Sequence, residues 1–200
     1  IDGVVSGCPS LLLEPASTNL ITYSEDFNLG GASISRSTFT SNSIISPDGS
    51  VSMGYLTEDT TATNTHYMRF GGSFTDGAKY SISVFAKAKE RNIICLGDNA
   101  ANQGGVGVWF DVLNGVVLTE RSGYVGKIED FGNGIYRCSV NYTASSSRQY
   151  IDIALSQRDG VNNYTGDGAS GVYLWGTQVE AGSYATSYVP TNGSTVTRSA

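Results

Sequence analysis

Tyr80-Ser81-Ile82-Ser83-Val84-Phe85-Ala86-Lys87 is the stretch on which the reading of the fold turns. Successive side chains of an extended chain point to opposite faces, so Ile82, Val84 and Ala86 share one side and Ser81, Ser83, Phe85 and Lys87 the other. Alternation sustained over this length reads as a half-buried strand. The same period recurs at Met53 to Glu58, His66 to Phe70, Asn92 to Leu96 and Val106 to Asp111. It continues at Val116 to Thr119, Tyr124 to Glu129, Ile135 to Tyr142, Tyr150 to Ser156 and Gly171 to Val179. Asp48-Gly49, Asp76-Gly77, Asn114-Gly115, Asn133-Gly134 and Asp167-Gly168 fall between or beside these runs and accept positive φ. Asn114-Gly115 makes the clearest hairpin. No stretch carries a helical stripe, and short strands with frequent turns predict an all-β antiparallel sandwich, a jelly roll, rather than an α/β fold.

A chain of 200 residues can fold as one such domain. Residues 1–23 are less periodic and are expected to wrap around the sandwich, while residues 190–200 read as a linker. No internal repeat is present. The chain reads as a module of a longer protein with flanking domains.

Apolar residues make up 40% of the chain and charged residues only 15%, well under the usual quarter of a globular protein. Ser, Thr, Asn and Gly fill the difference, giving a surface that hydrogen-bonds more than it ionises. The formal charge of −6 argues against a nucleic-acid partner, which demands clustered Lys and Arg to neutralise phosphates. Leu11-Leu12-Leu13 is far too short to cross a bilayer, and no membrane partner is expected. Cys8, Cys95 and Cys138 match no zinc or redox spacing. Cys95 and Cys138 sit in apolar strands, as buried thiols or, alternatively, as a bridge to each other.

Asn19-Leu20-Ile21-Thr22-Tyr23-Ser24-Glu25-Asp26-Phe27 resembles the opening of jelly-roll carbohydrate-binding modules from xylan- and glucan-degrading enzymes. The chain is more similar still to a module recurrent in bacteriophage head-spike and tail-fibre proteins and in some marine bacterial polysaccharide-degrading enzymes. The matching stretches include Leu11 to Leu20, Ser46-Pro47-Asp48-Gly49, Leu56 to Asp59, Ser83 to Ala88 and Gly132 to Val140. Tyr173-Leu174-Trp175-Gly176-Thr177-Gln178-Val179-Glu180-Ala181-Gly182, followed by Thr186-Ser187-Tyr188-Val189-Pro190-Thr191, is the strongest. The resemblance implies a jelly roll, glycan binding, and a place outside the cell or on a virion. Ile135 and Leu29-Gly30-Gly31 stand where that group carries aromatics. Classical modules hold a structural calcium with an aspartate on the final strand; Leu174-Trp175-Gly176 offers no carboxylate there, so no cofactor is expected, with a structural calcium the one alternative left open.

Sugars present hydroxyls for hydrogen bonding and a C–H face for stacking, so a site for them combines rings with amides, carboxylates or guanidinium groups. Alternation puts Val108, Phe110, Cys138, Val140, Ile151, Ile153, Leu155, Val172 and Leu174 inward. The outward set then contains Phe85, Lys87, Trp109, Arg137, Tyr150, Asp152, Tyr173 and Trp175. Large rings on an outer face have one of two reasons: loops or the N-terminal segment cover them, or the face binds sugar. Trp109 and Tyr150, with Asp111 and Asp152 on the same faces, are the foremost candidates for a sugar platform. Trp175, inside the family signature, leans toward a structural part.

His66, the lone histidine, lies beside Tyr67 and Arg69 in a set like those with which polysaccharide lyases abstract a proton, but without a defined partner it is a structural residue first. Glu58-Asp59 and Glu129-Asp130 are sequence neighbours pointing to opposite faces, which suits strand ends better than a glycosidase pair. No nucleophile elbow, phosphate loop or zinc-protease motif is present. Asn141-Tyr142-Thr143 and Asn163-Tyr164-Thr165 match the glycosylation sequon. The leading expectation is a non-catalytic module that tethers a larger protein to polysaccharide or a surface glycan. A structural spike or fibre domain that forms homo-oligomers comes second, and a lyase or glycosidase third.

Overall fold

The side chains assigned inward by alternation meet between two antiparallel sheets. The computed structural model describes residues 14–99, 107–147 and 149–200, so Cys8, Leu11-Leu12-Leu13 and Val106 lie outside the described residues. No helix occurs among those described. One six-stranded sheet contains β3 (Ser37–Ile45), β4 (Val51–Glu58), β6 (Lys79–Ala88), β10 (Tyr124–Asp130), β11 (Ile135–Thr143) and β13 (Gly171–Ala181), in the order β10-β11-β6-β13-β4-β3. The other contains β2 (Ala32–Ser35), β5 (Tyr67–Gly71), β7 (Ile93–Asn99), β8 (Val108–Asp111), β9 (Val116–Glu120) and β12 (Tyr150–Ser156), in the order β2-β5-β12-β7-β8-β9. Strands β4, β5, β6 and β7 alternate between the sheets, and β11, β12 and β13 alternate back. The chain is therefore an all-β sandwich wound as a jelly roll.

Ile82, Val84 and Ala86 from β6, Cys138 and Val140 from β11, and Val172 and Leu174 from β13 form one wall of the core. Met68, Phe70, Ile94, Leu96, Val108, Phe110, Ile151, Ile153 and Leu155 form the facing wall. Each such apolar side chain contributes about 1.5–3 kcal/mol on burial, enough to fix the register of every strand, since a slip by one residue would turn the set to solvent. The β10–β11 connection carries Asn133 and Gly134 at φ 55° and 72°, the pair of positive values that a tight primed turn demands.

Both ends of the described chain bond to β13: Leu20 N donates to Val179 O, and Val189 N donates to Gln178 Oε1. β1 (Ser17–Asn19) pairs with β14 (Val196–Arg198), so the stretch read as a linker instead contains a strand. Asn19 is buried; its Nδ2 donates to Thr177 O and Val189 O, and its Oδ1 accepts from Ile21 N and Val179 N. Those four bonds tie the N-terminal segment, β13 and the C-terminal segment together. They also hold the bulge between Trp175 and Gln178, where Gly176 sits at φ 64° and a Cβ would come within 2.9 Å of the Phe85 ring.

Candidate functional site

Phe85, Lys87, Arg137, Tyr173 and Trp175 belong to the first sheet, and Trp109, Tyr150 and Asp152 to the second, so the eight candidates divide between opposite outer faces. On the first sheet Arg137, Phe85 and Trp175 stand in one cross-strand row. Tyr188 closes over them, its ring centre 4.8 Å from Trp175 and 5.9 Å from Phe85. Its hydroxyl donates to Glu25 and shares a 2.6 Å hydrogen bond with Ser24 Oγ. Phe85, Trp175 and Arg137 are consequently buried. The Arg137 guanidinium lies over the Phe85 ring and donates to Ser83 Oγ at 2.9 Å, and burial pushes its pKa down. These three are packing residues beneath a covering segment, and they present no surface to a sugar.

Lys87 and Tyr173 lie one row further along that sheet. They line a groove of about 820 Å³ between the β3–β4 and β10–β11 connections, together with Ile44, Ile45, Val51, Phe131 and Ile135. Lys87 Nζ donates to Asn133 O at 2.6 Å.

The outer face of the second sheet has a different character. Pairing of β12 with β5 sets Asp152 opposite Arg69 and Ala154 opposite Tyr67. Arg69 Nε donates to Asp152 Oδ1 at 2.7 Å and Nη2 to Oδ2 at 2.8 Å, a fork that raises the arginine pKa. The same guanidinium lies between two rings, 4.7 Å from the centre of Tyr67 and 5.0 Å from that of Tyr150. Arg36 extends the column, 5.4 Å from Tyr67, with Nε donating to Thr65 O at 2.7 Å. Arg36 turns the chain from β2 into β3 at φ 53°, an uncommon backbone state for a non-glycine residue. Tyr150 keeps 37% of its surface exposed. The column thus offers half-open aromatic faces alternating with guanidinium groups, and Asp152 holds the central one in place.

Ala154, Cys95 and Trp109 continue the Tyr67 row across β12, β7 and β8. Trp109 does point away from the inter-sheet core, into a separate cluster with Cys95 and Ala154, yet only 1% of it is exposed. Its Nε1 donates to Ser156 Oγ at 2.9 Å and to Asn162 Oδ1 at 2.8 Å, so the segment after β12 folds over the indole. The ring expected as a sugar platform is therefore enclosed on this face. Above it a cleft of about 310 Å³ is lined by Thr65, Trp109, Arg121, Gly160, Val161, Asn162 and Asn163.

His66 is buried, its ring 4.8 Å from that of Tyr164 and its Nε2 3.3 Å from Asp59 Oδ1, and desolvation lowers its pKa. Glu58 is buried at the end of β4. It receives a fork from Arg91 at 2.8 and 2.6 Å, the Tyr164 hydroxyl at 2.6 Å and Asp167 N at 2.9 Å. That carboxylate joins the end of β4 to the β6–β7 and β12–β13 connections. Cys95 and Cys138 are free: the first lies in the outer cluster, the second between the sheets, and burial pushes the Cys95 thiol up to about 12. Among the described residues no group of three or more His, Cys, Asp and Glu could hold a metal ion.

Sequence reasoning reached Tyr150 and Asp152 and set Tyr67 and Arg69 beside His66 as a lyase-like set. It missed Arg36, Arg121 and Asn162. Nothing local marks those three, because they meet the face only through strand register and a loop that folds back.

No family model matches this chain, and no curated protein matches it. Among solved structures it is similar to the CBM22-1–GH10 modules of the N-terminal endo-1,4-beta-D-xylanase 10B of Clostridium thermocellum, complexed with xylohexaose. The identity is 13% and the TM-score 0.48, over 88% of this chain and 30% of that one.

Proposed function

We propose that the chain is a non-catalytic carbohydrate-binding module whose binding surface is the outer face of the β2-β5-β12-β7-β8-β9 sheet. The observation that carries the reading is the Tyr67–Arg69–Tyr150 stack with Arg69 forked onto Asp152. Rings held rigidly by a flanking guanidinium present a flat, low-entropy surface to the C–H face of a sugar. Of the five N–H donors of a guanidinium, Asp152 engages two, and the others are suited to sugar hydroxyls. Such contacts compete with water, so single-site affinity is on the order of 10 µM to 1 mM, and repetition along a polysaccharide raises it. The module would tether a larger extracellular or virion protein to its glycan. The absence of catalysis is supported by the burial of His66 and by the burial and full engagement of Glu58, neither of which lies on this face.

Affinity electrophoresis of the intact chain through gels containing xylan, alginate, chondroitin or agar tests this. Retardation by at least one polysaccharide, reduced about tenfold by Tyr150→Ala, is the expected result. Migration unchanged in all four, or indifferent to Tyr150→Ala, overturns the reading. Release of reducing ends or unsaturated products from any of them would make the chain an enzyme.

A second reading, a spike or fibre domain that packs against copies of itself, draws on the apolar groove around Lys87 and Tyr173. Ile45, Val51 and Phe131 on its rim are more than half or about half exposed, an arrangement suited to contact with another chain. Sedimentation of the isolated chain as a monomer would count against it.

A further inference from the structure

We infer that the glycan bound on this face is acidic, and that its carboxylate or sulfate is held by Arg121 in the cleft above Trp109. The inference rests on the carbohydrate-binding reading and adds the class of sugar. Arg121 lies in the turn from β9 to β10, where its backbone N–H donates to Gly107 O at 3.1 Å and its carbonyl accepts from Tyr124 N at 3.0 Å. Both ends of the residue are thus anchored while the side chain is exposed. The guanidinium carbon sits 5.4 Å from the centre of the Trp109 ring. That ring is itself immobilised by Ser156 and Asn162, so it orients the guanidinium before any ligand arrives.

What distinguishes Arg121 from Arg69 and Arg91 is its counter-charge. Arg69 is forked onto Asp152 and Arg91 onto Glu58. No ion pair joins Arg121 to a carboxylate among the described residues. Arg36 is in the same position: its Nε donates to the Thr65 carbonyl, and Thr65 lines the cleft. The carboxylate closest in sequence to the cleft-lining Gly160 is Asp159, and its oxygens accept from Thr119 N at 3.0 Å and Thr119 Oγ1 at 2.9 Å. A chain of net charge −6 therefore sets at one small polar cleft a guanidinium that has no carboxylate partner among the described residues. A planar anion such as a carboxylate, or one face of a sulfate, matches the guanidinium fork with two parallel charge-assisted hydrogen bonds. A neutral hydroxyl takes only one, with no change of charge. The cleft volume, about 310 Å³, lies at the small end of ligand sites, which suits one anionic substituent and its ring better than a whole oligosaccharide. The Tyr67–Arg69–Tyr150 column would then receive the neighbouring sugars of the same strand.

Calorimetric titration of the intact chain with a polyuronate, a sulfated galactan and neutral xylan oligosaccharides of matched length tests the inference. Wild type, Arg121→Gln and Arg121→Lys are compared at low and moderate salt. The expected result is at least tenfold tighter binding of one acidic glycan than of xylan, weakening as salt rises. Arg121→Gln should abolish that preference, leaving the acidic glycan bound no tighter than xylan, while Arg121→Lys should restore part of it, because charge returns without the fork. The tighter of the two acidic arms identifies the anion. Equal binding of xylan and both acidic glycans, or an acidic preference that survives Arg121→Gln, overturns the inference and leaves the carbohydrate-binding reading intact. No binding to any of the three overturns both.

Discussion

Truncating Trp109 to alanine should damage the fold far more than any surface. The indole is 1% exposed and packs against Cys95 and Ala154, with Tyr67, Ile93 and Leu118 around them. Its Nε1–H is shared between Ser156 Oγ and Asn162 Oδ1. Removing a ring of that size from a closed environment costs about 3–5 kcal/mol, as lost transfer energy plus the cavity left behind. For a chain of about this length 1 kcal/mol lowers Tm by roughly 2–4 °C, so Trp109→Ala should melt about 6–20 °C below wild type. Urea denaturation should show a lowered midpoint with an unchanged slope, the sign of altered stability rather than altered compactness. Trp109→Phe separates the contributions: it keeps most of the ring, loses the N–H, and should cost about 1–3 kcal/mol. A fall of less than about 3 °C for Trp109→Ala, with glycan affinity lost, would refute the enclosure of the ring and return Trp109 to the role of sugar platform.

Three further outcomes follow from buried groups. Glu58→Gln should cost about 3–5 kcal/mol in thermal unfolding, because it leaves the Arg91 guanidinium facing a neutral amide in a buried network; a loss under about 1 kcal/mol would show the network to be unimportant. His66 has a folded pKa depressed below its ordinary 6.5 by burial, so protonation favours the unfolded chain: stability is full above about pH 6.5 and is lost as pH falls toward the depressed value. Tm should therefore drop between pH 7.5 and pH 5.5, and drop less in His66→Gln; an equal drop in both would assign it to another group. Cys95 and Cys138, with thiols raised by burial, should resist alkylation at pH 8 in the native chain and react on denaturation, as peptide mapping by mass spectrometry would reveal.

The sandwich was legible because its strands bury one face each. Tyr150 to Ser156 matches β12 end to end, and Tyr80 to Lys87 lacks only one residue at each end of β6. β3, Ser37–Ile45, escaped: Ser-Thr-Phe-Thr-Ser-Asn-Ser-Ile-Ile buries only Phe39, and the strand is an edge whose register breaks between Thr40 and Ile44. β1 and β14 are three residues each and mostly polar, held by the Asn19 side chain more than by any pattern. Alternation placed Phe85, Trp175 and Trp109 on outer faces, but it carries no information about what arrives to cover them. Tyr188 does so for the first two, and Asn162 for the third, each through contacts far along the chain. The Arg69–Asp152 fork spans 83 residues, and depends on the register of β5 against β12, which no local window contains.

One particular sheet face, the outer face of the β2-β5-β12-β7-β8-β9 sheet, is proposed to meet the glycan. Hydrogen–deuterium exchange of the intact chain, with and without a saturating oligosaccharide of the polysaccharide that retards it most, addresses that claim directly. Slowed exchange is expected in β5, β12 and residues 158–163, with the groove between the β3–β4 and β10–β11 connections unaltered. Protection confined to that groove, around residues 43–51 and 131–135, would contradict it.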